Sequence, residues 1–222
     1  MAKCTTNTRN PEREKSKSRA EWLKARAKGI GASEAATIVG LSPWATAKEL
    51  FEIKTGRKTA KDISDNEAVQ TGIKAEPILR DLFKATHDGL KVTYHAYDRL
   101  YQKERPWLFA TLDGEIKEVA TKRRGILEIK TSTPSTAKGW SEWKDKVPNN
   151  YYVQICHQML ATGYDFAILY ACLFGNDGSF TVREYRFERQ DCEQDMEWLL
   201  SKETEFWDSV KNDKIPSLTL VL

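Results

Sequence analysis

Three copies of the tripeptide Glu-Ile-Lys stand at residues 52–54, 115–117 and 128–130. A carboxylate two residues before an ammonium can hold a hard cation beside a phosphodiester, while the lysine steadies developing negative charge. That chemistry needs both side chains on one face. The first copy lies in TAKELFEIKTG (46–56), where Thr46 and Glu49 form a capping box and Gly56 is a stop signal. On a helix, residues i and i+2 point about 200° apart, so Glu52 and Lys54 cannot converge and are read as structural. The other copies fall on predicted strands, where i and i+2 share a face. In ILEIKTS (126–132), Leu127 and Ile129 are expected in the core, with Glu128 and Lys130 facing a cleft. Asp113 precedes Gly114 in TLDGEI, and the glycine signals a bulge or bend that would aim the aspartate at its neighbour. Glu115 and Lys117 continue into KEVATKRRG and read as hairpin surface. Asp113, Glu128 and the carbonyl between Glu128 and Lys130 form an oxygen-rich set that suits magnesium. A bound metal lowers the pKa of a water and screens phosphodiester charge. Lys130 would orient the attacking water. The spacing D-x14-E-x-K is weak by itself in a chain that is 30% charged; its strand–bend–strand setting strengthens it.

These residues need elements to carry them. SRAEWLKARAKG (18–29) reads as a helix capped by Ser18 and ended by Gly29. GIGASEAATIVGLSPW (29–44) reads as a glycine-rich turn followed by a short helix from Ser33. A long helical pattern covers 66–86, with a break or restart expected at Pro77. The stretches 91–102, 107–119 and 124–132 are rich in β-branched and aromatic residues and read as consecutive antiparallel strands. A helix over 147–162, strands over 166–174 and 179–187, and an acidic helix over 188–212 complete the order. The expected fold class is α/β, a mixed central sheet flanked by helices.

The 222 residues, 40% apolar, suit one sizeable domain over 18–222, preceded by a loose, basic arm over 1–17. No run of 18 apolar residues exists, so no membrane span is expected. The N-terminus lacks the apolar stretch of a signal peptide. Cys4, Cys156, Cys172 and Cys192 contain no CxxC pair, which speaks for reduced thiols in a cytosol and against zinc or an iron–sulfur cluster. Net charge is +3 but uneven. Residues 9–28 hold eight bases and three acids, and residues 188–208 hold eight acids and two bases. Such blocks fit a polyanion at one end and a subunit contact at the other, or two solvated helix faces.

In order along the chain, GIGASEAATIVGLSPW, TGIKAEPILRDLF, FATLDGEI, ILEIKTS and YYVQICHQMLATG resemble the phage recombination nucleases of the lambda exonuclease and YqaJ type, within the PD-(D/E)xK superfamily. The resemblance covers roughly residues 20–175. It implies a nuclease-like mixed central sheet and a metal-dependent, processive 5′→3′ exonuclease acting on double-stranded DNA ends. It further implies a ring-shaped homotrimer, a single-strand annealing partner, phage or prophage origin and a bacterial cytoplasm. The metal ligands would be Asp113, Glu128 and the Ile129 carbonyl, with magnesium, two ions per site, replaceable by manganese. Lys130 would be the catalytic lysine, Glu76 the helical glutamate near the metals, and Gln154 the glutamine on the helix after the ExK strand. The related QxxxY signature is not met, because residue 158 is Gln, and this leaves Tyr151 without an assigned role.

Arg26 and Ser33 match the pair that grips the terminal 5′-phosphate, with Thr111 as a third donor where the family more often has Ser. Ser33 stands at a predicted helix N-terminus behind glycines, where free N–H groups favour an anion, and Arg26 adds a charge-assisted grip. The plain alternatives are an N-cap for Ser33 and a surface charge for Arg26. Trp22, one helical turn before Arg26, could stack on a splayed base at the DNA end. His157 reads as a packed or surface histidine, and His87 and His95 suggest no site. Competing functions are a structure-specific or restriction-type endonuclease of the same superfamily, and a non-catalytic module that binds DNA ends.

Overall fold

The structure, a computed structural model, describes residues 10–216. Nine strands and seven α-helices alternate among these residues. They are β1 (Glu12–Glu14), α1 (Arg19–Arg26), β2 (Ile30–Gly31), α2 (Ala32–Ile38), α3 (Ala47–Lys54), α4 (Glu67–Thr86), β3 (Leu90–Thr93), β4 (Arg99–Tyr101), β5 (Leu108–Ala110) and β6 (Gly114–Glu118). β7 (Arg124–Ser132), α5 (Ala137–Ser141), α6 (Asn149–Thr162), β8 (Phe166–Phe174), β9 (Phe180–Glu188) and α7 (Glu193–Lys211) follow. A larger sheet runs β3-β6-β7-β8-β9 and a smaller one β1-β4-β5-β2. The expected α/β class with a central mixed sheet and flanking helices is the fold observed. β7, at the centre of the larger sheet, pairs antiparallel with β6 and parallel with β8.

The strand period of two sorts β7 onto two cores. Leu127 and Ile129 pack with Leu79 and Phe83 of α4, while Ile126 joins the cluster containing Ile155 and Met159 of α6. Helices therefore cover both faces of the ExK strand, and a cleft opens at its end between α4 and α6.

Four expectations change. The stretches 91–102 and 107–119 each divide between the two sheets, at 94–98 and at 111–113. Gly114 permits the second transfer: a Cβ there would lie 2.8 Å from Val92 Cγ1 and 3.2 Å from Leu127 Cβ, so any side chain would push β3 and β7 off β6. Pro77 does not break α4, which runs unbroken from Glu67 to Thr86. Pro77 and Ile73 both face solvent, so water can take the carbonyl that the proline leaves unpaired, while Leu79 and Phe83 anchor the helix. Part of the predicted arm is ordered, because β1 pairs with β4 and Arg13 forms an ion pair with Asp98 at 2.7 Å. The rest of that arm, residues 1–9, with Cys4, lies outside the described residues. Finally, α7 begins at Glu193, after a 3-10 turn over Arg189–Cys192, instead of at 188. Among the described residues no helix is long and apolar enough to cross a membrane.

Candidate active site

Asp113 sits where the chain passes from β5 to β6. The β6–β7 pairing ends with Gly114 opposite Leu127, and beyond it the Ile129 N–H is taken by Asp113 Oδ2 at 2.8 Å. One backbone bond thus ties the aspartate to the ExK strand. From α4, Arg80 Nε donates to the Asp113 carbonyl at 2.6 Å and the guanidinium pairs with Glu76. Arg80 also lies 3.6 Å over the ring of Tyr94. Glu76 and Asp113 are therefore held to each other through one buried arginine.

Glu128 is only 3% exposed, and a buried carboxylate needs donors around it. α6 supplies two. Gln154 Nε2 donates to Oε1 and Gln158 Nε2 to Oε2, each at 2.5 Å. Lys130 Nζ stands 2.6 Å from Oε1 and lies 5.2 Å from the centre of the Tyr151 ring. Tyr151 thus supplies an aromatic wall for the lysine ammonium.

The charges in this group act on one another. Burial drives the Asp113 carboxyl well above its ordinary range, and the carboxylates of Glu128 and Glu76 push it further the same way. Burial likewise raises Glu76 against the opposing pull of Arg80. For Lys130, burial favours the neutral amine, but Glu128 and Asp113 outweigh it and hold the ammonium above its usual pKa. Asp113, Glu128 and Glu76 outnumber the two bases beside them, Lys130 and Arg80, a balance that favours a cation. Among the described residues, no three His, Cys, Asp or Glu side chains form a ready-made metal cage. The donors that do meet are two carboxylates with the adjoining Ile129 backbone. That oxygen-only, partial set suits magnesium, which keeps several waters.

At the other end of the cleft, Arg26 Nη2 donates to Ser33 Oγ at 3.1 Å. The Arg26 guanidinium lies 4.7 Å over the Trp22 ring, whose Nε1 donates to Thr111 Oγ1 at 3.0 Å. Ser33 is not the cap of α2: that position is Gly31, and the Glu34 carboxylate accepts from the Gly31 N–H at 2.9 Å. The Ser33 hydroxyl is exposed and available to a ligand. Gly31 also makes room for the arginine, since a Cβ there would come within 3.1 Å of Arg26 Nη2. One face of Trp22 is occupied by Arg26, so its contact with Arg26 is organising in character. Lys54 of the first Glu-Ile-Lys copy is buried, pairs with Glu34 at 2.8 Å and donates to the Arg26 carbonyl at 3.3 Å. It braces α1 and α2 from behind.

Trp22, Arg26, Ser33, Glu76, Thr111, Asp113, Glu128, Ile129, Lys130 and Gln154 all line one cleft of about 350 Å³. Every candidate residue named from sequence therefore meets in one place. Sequence reasoning missed Arg80, Tyr94 and Gln158. Gln158 had one usable signal: it follows Gln154 by four residues and so shares its helix face. His157 is fully buried. Its Nε2 donates to the Phe109 carbonyl at 2.9 Å and its Nδ1 lies 2.5 Å from Glu203 Oε1 on α7, which makes it a packed histidine.

The mixed α/β fold is one that solved alkaline exonucleases share. The chain resembles the alkaline exonuclease LHK-Exo of Laribacter hongkongensis with a TM-score of 0.63 at 19% identity, over 87% of this chain and 93% of that one. A phage related exonuclease from Haemophilus somnus matches with a TM-score of 0.57 at 15% identity, over 83% and 96%. More specifically, the family model of the YqaJ-like viral recombinase domain matches residues 21–165. Protein YqaJ of Bacillus subtilis is 33% identical over 202 residues, 90% of this chain and 59% of that protein. The chain belongs to the YqaJ-like viral recombinase domain family and spans about 59% of the length of this relative.

Proposed function

We propose that this chain is a divalent-metal-dependent exonuclease that enters linear double-stranded DNA at its ends and degrades one strand in the 5′→3′ direction. The observation that carries this reading is the meeting of Asp113, Glu128 and Lys130 in one cleft with the Arg26–Ser33 pair. Arg26 and Ser33, with the Thr111 hydroxyl, would receive the terminal 5′-phosphate through charge-assisted and neutral hydrogen bonds. Asp113, Glu128 and the Ile129 carbonyl would hold magnesium, two ions per site, with manganese an adequate substitute. Magnesium bound there activates water and screens the phosphodiester. Lys130, kept charged by its carboxylate neighbours, would orient the attacking water and offset charge on the equatorial oxygens. Gln154 keeps Glu128 fixed, and Arg80 ties Glu76 to the Asp113 backbone.

The same reading extends to the setting. LHK-Exo has been crystallised with dAMP, a deoxynucleoside monophosphate, the product class this reaction would release. We extend the proposal to a ring-shaped homotrimer around DNA, a single-strand annealing partner, phage or prophage origin and action in a bacterial cytoplasm, with the sequence resemblance as its support.

Lys130→Ala tests the assignment. On linear duplex DNA with magnesium, the variant should lose at least about 100-fold in kcat, the scale of removing a transition-state donor, with DNA binding within about threefold of wild type. A covalently closed plasmid should survive wild-type protein intact. Undiminished digestion by the variant would remove Lys130 from the site, and nicking of the plasmid would favour the endonuclease reading.

A further inference from the structure

Gln158 is completely buried, and its amide does only half of what an amide can do. Nε2 donates to Glu128 Oε2 at 2.5 Å, while Oε1 is buried with no hydrogen-bond partner. An apolar side chain of the same size would avoid the orphaned amide oxygen but would strip the buried Glu128 Oε2 of its donor. Packing therefore does not explain a glutamine here. The flipped amide would set its oxygen against the carboxylate, so the donating orientation is dictated by Glu128.

The arrangement counts out the lone pairs of Glu128. A carboxylate offers about four acceptor positions. Oε1 takes two donors, Gln154 Nε2 at 2.5 Å and Lys130 Nζ at 2.6 Å. Among the described residues, Oε2 takes Gln158 alone. One position remains, on Oε2. Because the two amides come from successive turns of α6 and grip different oxygens, the carboxylate cannot rotate about its terminal bond without breaking one of them. His157, between them in sequence, bonds to β5 and α7 and so fixes how far α6 can slide along the strand.

We infer that Gln158 is a positioning residue: it locks the Glu128 carboxylate so that a single Oε2 lone pair is presented for a divalent cation. The inference rests on the metal-dependent reading of the cleft and adds a residue to it. Partners that orient a metal ligand from behind are typically worth 10–100-fold in metal affinity or activity.

The test uses Gln158→Leu and Gln158→Met, which keep the volume and remove the donor. Manganese is titrated into the DNA-free protein by calorimetry, thermal stability is recorded, and kcat and KM are measured on a 5′-phosphorylated duplex. The expected result is manganese affinity reduced 10–100-fold and kcat reduced with KM for DNA within threefold, in variants that still unfold cooperatively with a melting temperature below wild type, because Glu128 Oε2 loses its donor. If both variants bind manganese within twofold of wild type, the assignment is overturned while the metal site stands. If only Leu fails to fold, Met decides the question. If wild-type protein itself binds no manganese, the metal reading of the cleft fails, and this inference fails with it.

Discussion

At the residue scale, the cleft has two ends with separate tasks. Asp113, Glu128 and Lys130 form a charged group in which burial and Glu128 push the Asp113 carboxyl up and the two carboxylates hold the Lys130 ammonium above its usual pKa. Arg26 and Ser33 line the other end, where on the proposed function they would receive an incoming anion. If the second end reads a terminal phosphate, its loss should alter which DNA ends are chosen. A charge-assisted hydrogen bond contributes roughly 1.5–3 kcal/mol, so Arg26→Ala should cut the preference for 5′-phosphorylated over 5′-hydroxyl ends by about 10-fold or more. Competition between the two labelled duplexes measures this directly. An equal loss on both would contradict the assignment and leave Arg26 as a general DNA contact. The separation of Ser33 from capping duty, with Gly31 as the cap, is what leaves its hydroxyl available for that task.

At the scale of elements, α6 carries the site and needs an anchor. That anchor is the buried pair of His157 with Glu203 on α7. Burial alone would lower the histidine pKa, but Glu203 outweighs it and raises it above the ordinary value. A group whose pKa is raised on folding stabilises the protein fully below its unfolded pKa, about 6.5, and loses that contribution as pH climbs through the folded value. The melting temperature should therefore decline as pH rises from about 6.5 into the alkaline range. His157→Gln should be less stable at low pH and lose most of that decline; an unchanged pH profile in this variant would contradict the anchor. The elements themselves were partly legible in the sequence. The alternation of Leu127 and Ile129 with Glu128 and Lys130 was readable because a strand repeats every two residues, and the Thr46–Glu49 capping box because its chemistry is local. The division of 91–102 and 107–119 between two sheets was not, since their breaks contain strand-favouring residues such as Tyr94, Tyr97 and Thr111, and the close approach that Gly114 permits at the second is a tertiary property. Pro77 misled for a related reason, because its solvent exposure is a tertiary property. Gln158 was hidden because its one signal, a spacing of four from Gln154, gains meaning only once its neighbour across the core is known.

At the scale of the whole molecule, the two sheets meet at 111–113, and the cleft lies at that junction. β5, with Phe109, belongs to the smaller sheet, and β7, with Glu128, to the larger. Trp22 and Arg26, Ser33 and Thr111 come from α1, α2 and the β5–β6 link, and the carboxylates from β7, α4 and that same link. The junction sets the distance between a bound end and the reacting centre, which is the physical basis for proposing an exonuclease in place of an enzyme that cuts internally. The most direct test is a linear duplex carrying a 5′-[32P]-phosphate on one strand, incubated with and without magnesium, with products resolved by size. The account predicts that the label appears first as a mononucleotide, only when magnesium is present. Label retained on a strand that shortens from its 3′ end, or digestion that persists in chelator, would contradict it.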